Sequence, residues 1–142
     1  MDWKMTCGFT DEEAKLEASR CLSCKNPSCE KGCPAGIHIR DFIKEIKNGD
    51  LNRANEIIYE SSTLPYICSI VCPHERQCAG HCILGIKGTP IHCGKLERYV
   101  VEKTSSTSKI EGQSQKRVAI VGAGPAGISC AIELAKKGAQ VE

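Results

Sequence analysis

Hydrophobic positions in the first hundred residues recur at helical spacing, in short stretches that turn-forming residues separate. Thr10 and Glu13 match a capping box, which predicts a short helix, supported by Ala14, Leu16 and Ala18, that runs into the first cysteine-rich segment. Apolar residues over 39–46 predict a second helix. The sequence Asn48-Gly49 is a typical end for that helix.

Three further helices are predicted downstream. Asp50 can cap a helix whose apolar positions lie within 51–58, and the polar stretch and proline over 61–65 should end it. Residues 73–84 and 91–103 are predicted to form two more short helices. The first hundred residues therefore predict a mainly helical module.

The pattern of polar and apolar residues changes after this module. Residues 104–116 are polar and lack periodicity, which predicts a linker. Residues 118–121 form a short apolar run, followed by glycines and an amphipathic stretch, as in a strand–turn–helix unit. We therefore predict a helical domain over 1–103, a linker over 104–116 and the first βα unit of a Rossmann-like domain over 117–142.

The composition changes the picture of the helical module. The chain has 142 residues, of which 4% are aromatic and 11 are cysteines, and nine of the cysteines fall between Cys21 and Cys93. So few aromatic residues cannot build a rich core, so disulfides, zinc or iron–sulfur clusters must reinforce this region. No apolar run is long enough to span a membrane, and the amino terminus lacks a secretory signal. A cytoplasmic location with reduced thiols is the expectation, and it favours metal over disulfides.

Charge is nearly balanced along the chain. Up to Lys103 there are 14 Lys and Arg against 14 Asp and Glu, and from Thr104 onward there are 5 against 3. No basic stripe that could follow a polyanion is present, so neither nucleic acid nor a membrane is expected as a partner.

Eight of the cysteines form two groups with short spacings. They are Cys21-x2-Cys24-x4-Cys29-x3-Cys33 and Cys68-x3-Cys72-x5-Cys78-x3-Cys82. The first group lies in a segment over 21–36 that is predicted to be a loop. Only one pair has the CxxC spacing of a zinc knuckle, and the wider gaps fit a larger inorganic core better. Zinc stays the alternative, and it would imply a zinc-stabilised interaction module attached to a nucleotide-binding domain.

Two other potential ligands lie on the predicted helix over 91–103. Cys93 and Glu97 are four residues apart and share one side of that helix, so either could complete a site that lacks one thiolate. The histidines are expected to be solvated or structural rather than ligands, and they are His38, His74, His81 and His92.

A glycine-rich turn follows the predicted strand and opens a helix, which is the context of a dinucleotide-binding fingerprint. The amides at the start of such a helix can bind phosphates. The sequence stops at Glu142, before the acidic residue that this fingerprint expects, so we expect part of a longer protein that forms no sheet and is inactive by itself. The candidate cofactor-binding residues are Gly122, Gly124, Pro125, Ala126 and Gly127.

These motifs, in this order, resemble the family of the glutamate synthase small (β) subunit. The resemblance rests on both cysteine groups, on residues 64–73 and 94–98, and on the strand, turn and helix over 118–138. The N-terminal domain of dihydropyrimidine dehydrogenase and the large subunit of NADH-dependent ferredoxin:NADP oxidoreductase share the pattern. The sequence departs from it at Ser69-Ile70, where Gly-Arg is usual.

The resemblance implies an α-helical ferredoxin-like domain with two 4Fe–4S clusters, followed by an FAD domain and an NAD(P)H domain. It also implies that each cluster takes its ligands from both cysteine groups. One cluster would be held by Cys21, Cys24, Cys29 and Cys82, and the other by Cys33, Cys72, Cys78 and Glu97. Cys68, which spacing alone would have made a ligand, is then left over.

The function that the resemblance implies is electron transfer within an NAD(P)H-dependent oxidoreductase. Single electrons would pass between FAD and a partner subunit, one like the glutamate synthase large subunit or one linked to ferredoxin. No residue of the sequence stands out as an acid–base catalyst, so no catalytic residue is predicted and the chemistry is assigned to the cofactors.

Overall fold

A computed structural model describes residues 8–104 and 116–142, and the chain divides into two units, Met1–Ser105 and Ser106–Glu142. The first unit contains α1 (Asp11–Ser19), α2 (Ser28–Lys31), α3 (Ile39–Asn48), α4 (Leu51–Ser61), α5 (Pro65–Val71) and α6 (Cys93–Lys103). Three 3-10 turns, His74–Arg76, Ala79–His81 and Ile83–Ile86, lie between α5 and α6. The second unit contains β1 (Arg117–Val118), α7 (Pro125–Lys136) and β2 (Gln140–Val141). None of the helices in the described ranges combines the length and apolar character needed to cross a lipid bilayer.

Helix α1 begins as predicted. The Thr10 hydroxyl accepts a hydrogen bond from the Glu13 amide at 3.3 Å, and the Glu13 carboxylate accepts one from the Thr10 amide at 2.8 Å. Ala14 and Ala18 are completely buried, whereas Leu16 is 70% exposed. The predicted helix is confirmed, and it packs through a narrow face of small residues.

Helices α3 and α4 form the centre of the first unit. Phe42 and Ile43 of α3 and Ile58 of α4 are almost fully buried. Gly49 ends α3 in the left-handed conformation, with φ of 81°, and the Asp50 carboxylate then accepts a hydrogen bond from the Arg53 amide at 2.9 Å. The two predicted helices and the caps between them are confirmed.

Helix α6, at the carboxyl end of the unit, packs against this core. Leu96 and Val100 are fully buried in the cluster that α3 and α4 form. The predicted helix over 91–103 is therefore confirmed, and it begins at Cys93.

The segment between α4 and α6 differs from the prediction. Residues 73–84 do not form a helix but 3-10 turns, because the chain folds back until Gly80 lies directly against the Glu75 carbonyl group. Helix α5 was not predicted, since Pro65 suggested a break. Pro65 instead occupies the first turn of α5, where its missing N–H costs nothing. The loop predicted over 21–36 also contains the single turn of α2.

The second unit is a small parallel strand–helix–strand arrangement. Arg117 pairs with Gln140 and Val118 with Val141. The strand predicted over 118–121 is thus shorter than expected, and the expectation that no sheet forms is wrong, because the last residues already pair with β1. No described residue of this unit is buried. Most of the predicted linker, residues 105–115, lies outside the described residues.

Candidate metal centres

Two pockets in the first unit gather the cysteines that the sequence separates. One pocket, with an empty volume of about 460 Å³, is lined among others by Cys21, Cys24, Cys29 and Cys82. The other, of about 530 Å³, is lined among others by Cys33, Cys72, Cys78 and Glu97. Each pocket, which we call the first and the second pocket, thus contains all the members of one predicted ligand set.

The first pocket is built from the loop after α1, helix α2, helix α3 and the 3-10 turns. Burial and, next, the neighbouring Glu30 carboxylate raise the pKa of Cys29 to about 12. Glu30 itself is fixed by accepting a hydrogen bond from the Arg40 amide at 3.0 Å, near the start of α3. A partly buried thiol of this kind becomes a ligand once a metal displaces its proton.

Glu97 is the most unusual residue of the second pocket. Its side chain lies on α6, is 7% exposed, and one carboxylate oxygen is buried without a hydrogen-bond partner. Burial and then the Cys78 sulfur raise the pKa of Glu97 to about 8. Asn55 is the other described residue with such an orphaned oxygen, and it lines neither pocket. A buried carboxylate facing thiols is costly unless a positive group pairs with it, so this donor set fits a metal or a metal cluster.

Cys68 also lines the second pocket. Burial and then the charge of Cys68 raise the pKa of Cys72 to about 11. The pocket therefore offers more sulfur donors than one cluster needs. The choice of Glu97 rather than Cys68 as a ligand stays a prediction.

Cys93, the alternative to Glu97, occupies a position between the pockets. Its side chain is 3% exposed and lines both of them. Interaction between the Cys93 and Cys78 side chains lowers the pKa of Cys78 and, together with burial, raises that of Cys93. Sequence spacing placed Cys93 and Glu97 on one side of a helix, but it could not show the contact with Cys78.

The imidazole rings of two histidines pack directly against glycines beside the pockets. His81, which lines the first pocket, occupies the space where a side chain at Gly32 would begin, and its Nδ1 lies 2.7 Å from the Gln77 carbonyl oxygen. His74, which lines the second pocket, fills the corresponding space at Gly94. Both glycines are thus required by close packing against an imidazole ring.

Glu17 is a buried residue that the sequence analysis missed. Its carboxylate accepts hydrogen bonds from the His92 amide at 2.8 Å and from Arg20 at 2.6 Å, and lies 2.9 Å from the His92 ring Nδ1. Burial raises the pKa of Glu17, but these bonds outweigh it and the net pKa is lowered. The contact ties α1 to the residue before α6, and 75 positions of sequence separation hide it from any local pattern.

The cysteine geometry bears on the zinc and disulfide alternatives. The ten cysteines in the described ranges form no disulfide with one another. Within the same ranges, no three His, Cys, Asp or Glu side chains come together closely enough to hold a single metal ion. Four thiolates around one zinc ion would lie roughly 3.8 Å apart, given Zn–S bonds of about 2.3 Å. The described side chains therefore form no ready-made tetrahedral site for a single zinc ion.

The three glycines of the turn in the second unit have different surroundings. Gly122 has φ of 113°, which a residue with a side chain rarely adopts, and Gly127 lies directly against the Gly122 carbonyl oxygen. A Cβ at Gly124, by contrast, would meet no protein atom within 4 Å. The fold itself therefore requires Gly122 and Gly127, whereas Gly124 leaves open space at the start of α7.

The helical fold and the two cysteine-lined pockets define the class of iron–sulfur domains. Residues 3–109 match the family described as dihydropyrimidine dehydrogenase domain II, 4Fe–4S cluster. The chain belongs to this family.

Curated relatives extend the similarity to almost the whole chain. The glutamate synthase [NADPH] small chain of Escherichia coli K12 is 39% identical over 135 residues, which cover 92% of this chain and 29% of the relative. The NAD-dependent dihydropyrimidine dehydrogenase subunit PreT of the same organism is 36% identical, over 97% of this chain and 34% of the relative. The glutamate synthase small chain of Azospirillum brasilense is 33% identical, over 94% and 29%. This chain therefore spans about a third of the length of these relatives, which are named as components of oxidoreductases.

Proposed function

We propose that this chain is the electron-transfer portion of an NAD(P)H-dependent flavin and iron–sulfur oxidoreductase similar to the glutamate synthase small chain. Residues 1–103 form the domain for two 4Fe–4S clusters, 104–116 form a linker, and 117–142 begin a Rossmann-like FAD domain. The observation that carries the proposal is that each of the two pockets contains one complete predicted ligand set.

The side chains of the two predicted ligand sets offer sulfur and oxygen donors. The cysteines would release their protons on binding iron, and the buried Glu97 adds an oxygen donor. The clusters, when bound, supply one-electron redox chemistry. In our proposal Cys21, Cys24, Cys29 and Cys82 form the first site, and Cys33, Cys72, Cys78 and Glu97 the second.

Both pockets are lined partly by exposed residues. These are, for example, Leu22 and Ile83 at the first pocket and Pro34 and Ala35 at the second. A partner can therefore approach either site. We propose that this partner is a subunit like the glutamate synthase large subunit or a ferredoxin-linked one.

The glycine turn supports the flavin part of the proposal. Open space at Gly124 and the amides at the start of α7 suit a pyrophosphate, with Pro125 and Ala126 in the first turn of the helix. Gly122 and Gly127 shape the turn that presents these amides. Names of the relatives mention NAD and NADPH, which is consistent with a nicotinamide as the source of electrons.

Iron analysis of anaerobically prepared protein tests the proposal. We expect about eight iron atoms per chain and broad visible absorbance, and about four iron atoms in the variant Cys29→Ser. Cys130→Ser is the matched control, since Cys130 is an exposed thiol on α7, and its iron content should not change. An iron-free protein containing stoichiometric zinc would contradict the proposal and support the zinc-stabilised module. An unchanged iron content in Cys29→Ser would contradict the ligand assignment.

A further inference from the structure

Three large apolar side chains are exposed beside the first pocket. Leu22, which directly follows Cys21, is 60% exposed, and Ile83, which directly follows Cys82, is 47% exposed. Ile86 is 77% exposed and lines, together with Ile83, a groove next to the first pocket. Large apolar side chains gathered on one surface are typical of an interaction site. This surface lies next to predicted ligands of the first cluster.

Two hydrogen bonds join the segments that form this surface. The Arg20 guanidinium, at the end of α1, donates to the Thr89 carbonyl oxygen at 2.5 Å, which fixes the segment after the 3-10 turn Ile83–Ile86. The Lys47 ammonium donates to the Cys21 carbonyl oxygen at 2.7 Å, which brings the end of α3 to the same place. Three segments that are far apart in the sequence therefore meet at this surface.

The charge of this surface is positive. On α3, Lys44 and Lys47 follow Arg40 at helical spacing, so the three cations share one side of the helix. Arg40 lines the first pocket, and Lys87 lines the neighbouring groove. Arg20 and Arg40 have carboxylate partners, whereas the three lysines are exposed and form no ion pair with any described residue. We call this surface the basic face, and its exposed residues are Leu22, Lys44, Lys47, Ile83, Ile86 and Lys87.

The lining of the pockets shows the same difference in charge. Among the described residues, no Asp or Glu lines the first pocket or the neighbouring groove. The second pocket is lined by Glu97 and, within the same ranges, by no Lys or Arg. The combination of lysines and exposed apolar side chains therefore distinguishes the surroundings of the first pocket from those of the second.

We propose that the basic face binds the acidic surface of a redox partner protein, which exchanges single electrons with the first cluster. The inference rests on the proposed function, because it needs a cluster in the first pocket. A partner surface with carboxylates around an apolar centre would pair with the lysines and cover the apolar side chains, and such charge complementarity accelerates association. In the exchange one electron leaves the reduced centre of the partner and reduces the oxidised cluster, and no bond is made or broken.

Stopped-flow reduction of the anaerobic holoprotein by a reduced acidic ferredoxin, used as the probe, tests the inference. The second-order rate constant should fall as salt is added, because salt screens the attraction between the two proteins. At low ionic strength the double variant Lys44→Glu/Lys87→Glu should react roughly tenfold more slowly than the wild type. Ile86→Ser should also slow the reaction, while its dependence on salt should stay that of the wild type.

Lys15→Glu provides the matched control. Lys15 is exposed on α1 and lines neither the first pocket nor the groove, so the variant changes the charge in the same way at another place. Its rate constant should stay within about twofold of the wild-type value. Reduction by excess dithionite, followed by EPR, should give the same number of spins in every variant, because none of the substituted residues is a predicted ligand.

Several results would overturn the inference without affecting the proposed function. In a holoprotein with two clusters, these are equal rate constants for the double variant and Lys15→Glu, or a rate constant that salt does not change. A wild type that dithionite reduces but ferredoxin does not would show that the basic face is closed to such a partner. A wild-type dimer that Ile86→Ser dissociates in sedimentation would show that a second copy occupies the face. A protein without iron, by contrast, would contradict the proposed function itself.

Discussion

Phe42, Ile43 and Ile58 in the first unit are almost fully enclosed, whereas Val121 and Ile128 in the second unit are exposed. The first unit has an apolar core of its own, in addition to the pockets that metal would fill. The second unit contains two short strands, a glycine turn and a helix, but no described residue of it is buried. In an α/β domain, the faces of such elements are covered by further strands and helices. The comparison separates a unit whose core is built within the described residues from one in which the described residues specify only local structure.

The largest expected effect is on the free energy of unfolding. It should differ between the two units, because only the first has buried residues among those described. Phe42→Ala should destabilise the first unit by about 3–5 kcal/mol, because it removes a fully buried ring and leaves a cavity. Val121→Ala removes an exposed side chain and should change the unfolding free energy by less than about 0.5 kcal/mol. Urea unfolding under anaerobic conditions measures both values, and similar losses in the two variants would contradict the comparison.

The next effect concerns the contact between α1 and the start of α6. Glu17→Ala should cost about 2–3 kcal/mol, because it removes an acceptor of charge-assisted hydrogen bonds and leaves the His92 amide unpaired. The lowered pKa of Glu17 predicts a pH dependence. A carboxyl group with a lowered folded-state pKa stabilises above its unfolded value, here 4.5, and loses that contribution as pH falls through the folded value.

Glu17→Gln isolates this charge-dependent part. The difference in unfolding free energy between the wild type and Glu17→Gln should be complete at pH 7 and should shrink as pH falls below about 4.5. A difference that stays constant over this range would show that the charge of Glu17 does not contribute. Leu16→Gln is a control on the same helix, since Leu16 is exposed and should show no such pH dependence.

A pair of glycine substitutions sharpens the comparison within the second unit. Gly127→Ala should destabilise the turn by about 2 kcal/mol, because its Cβ would collide with the Gly122 carbonyl group. Gly124→Ala meets no protein atom and should leave the turn intact. If the turn binds a flavin in the holoprotein, Gly124→Ala should nevertheless lower the flavin content. Equal flavin content in Gly124→Ala and the wild type would contradict the proposed phosphate site.

The smallest effect concerns the cap between α3 and α4. Asp50→Ala should cost about 1 kcal/mol, because the Arg53 amide loses its acceptor. Asp50→Asn keeps an oxygen acceptor and should cost less. Thermal unfolding of the three proteins measures the difference, and equal losses for alanine and asparagine would argue against the cap.

Much of the first unit was predictable, because its signals are local. The capping box at Thr10, the apolar spacing of α3 and the Asp50 cap all appear within a few residues of sequence, and each is confirmed. The 3-10 turns after α5 were not predictable in this way. They depend on the close approach of Gly80 to the Glu75 carbonyl, which local apolar spacing does not encode.

The residues of the candidate site were predictable from the sequence, but their arrangement in space was not. Spacing identified the cysteines, and family resemblance divided them into two sets that the two pockets bring together. The ligand roles themselves stay predictions. The Cys93–Cys78 contact and the Glu17–His92 contact join distant segments, so they required the folded chain.

The histidine rings that rest on Gly32 and Gly94 have a consequence for natural variation in this family. A side chain at either glycine would push His81 or His74 out of place, and each of these rings lines a pocket. A substitution at either glycine would therefore reshape a pocket without changing any predicted ligand.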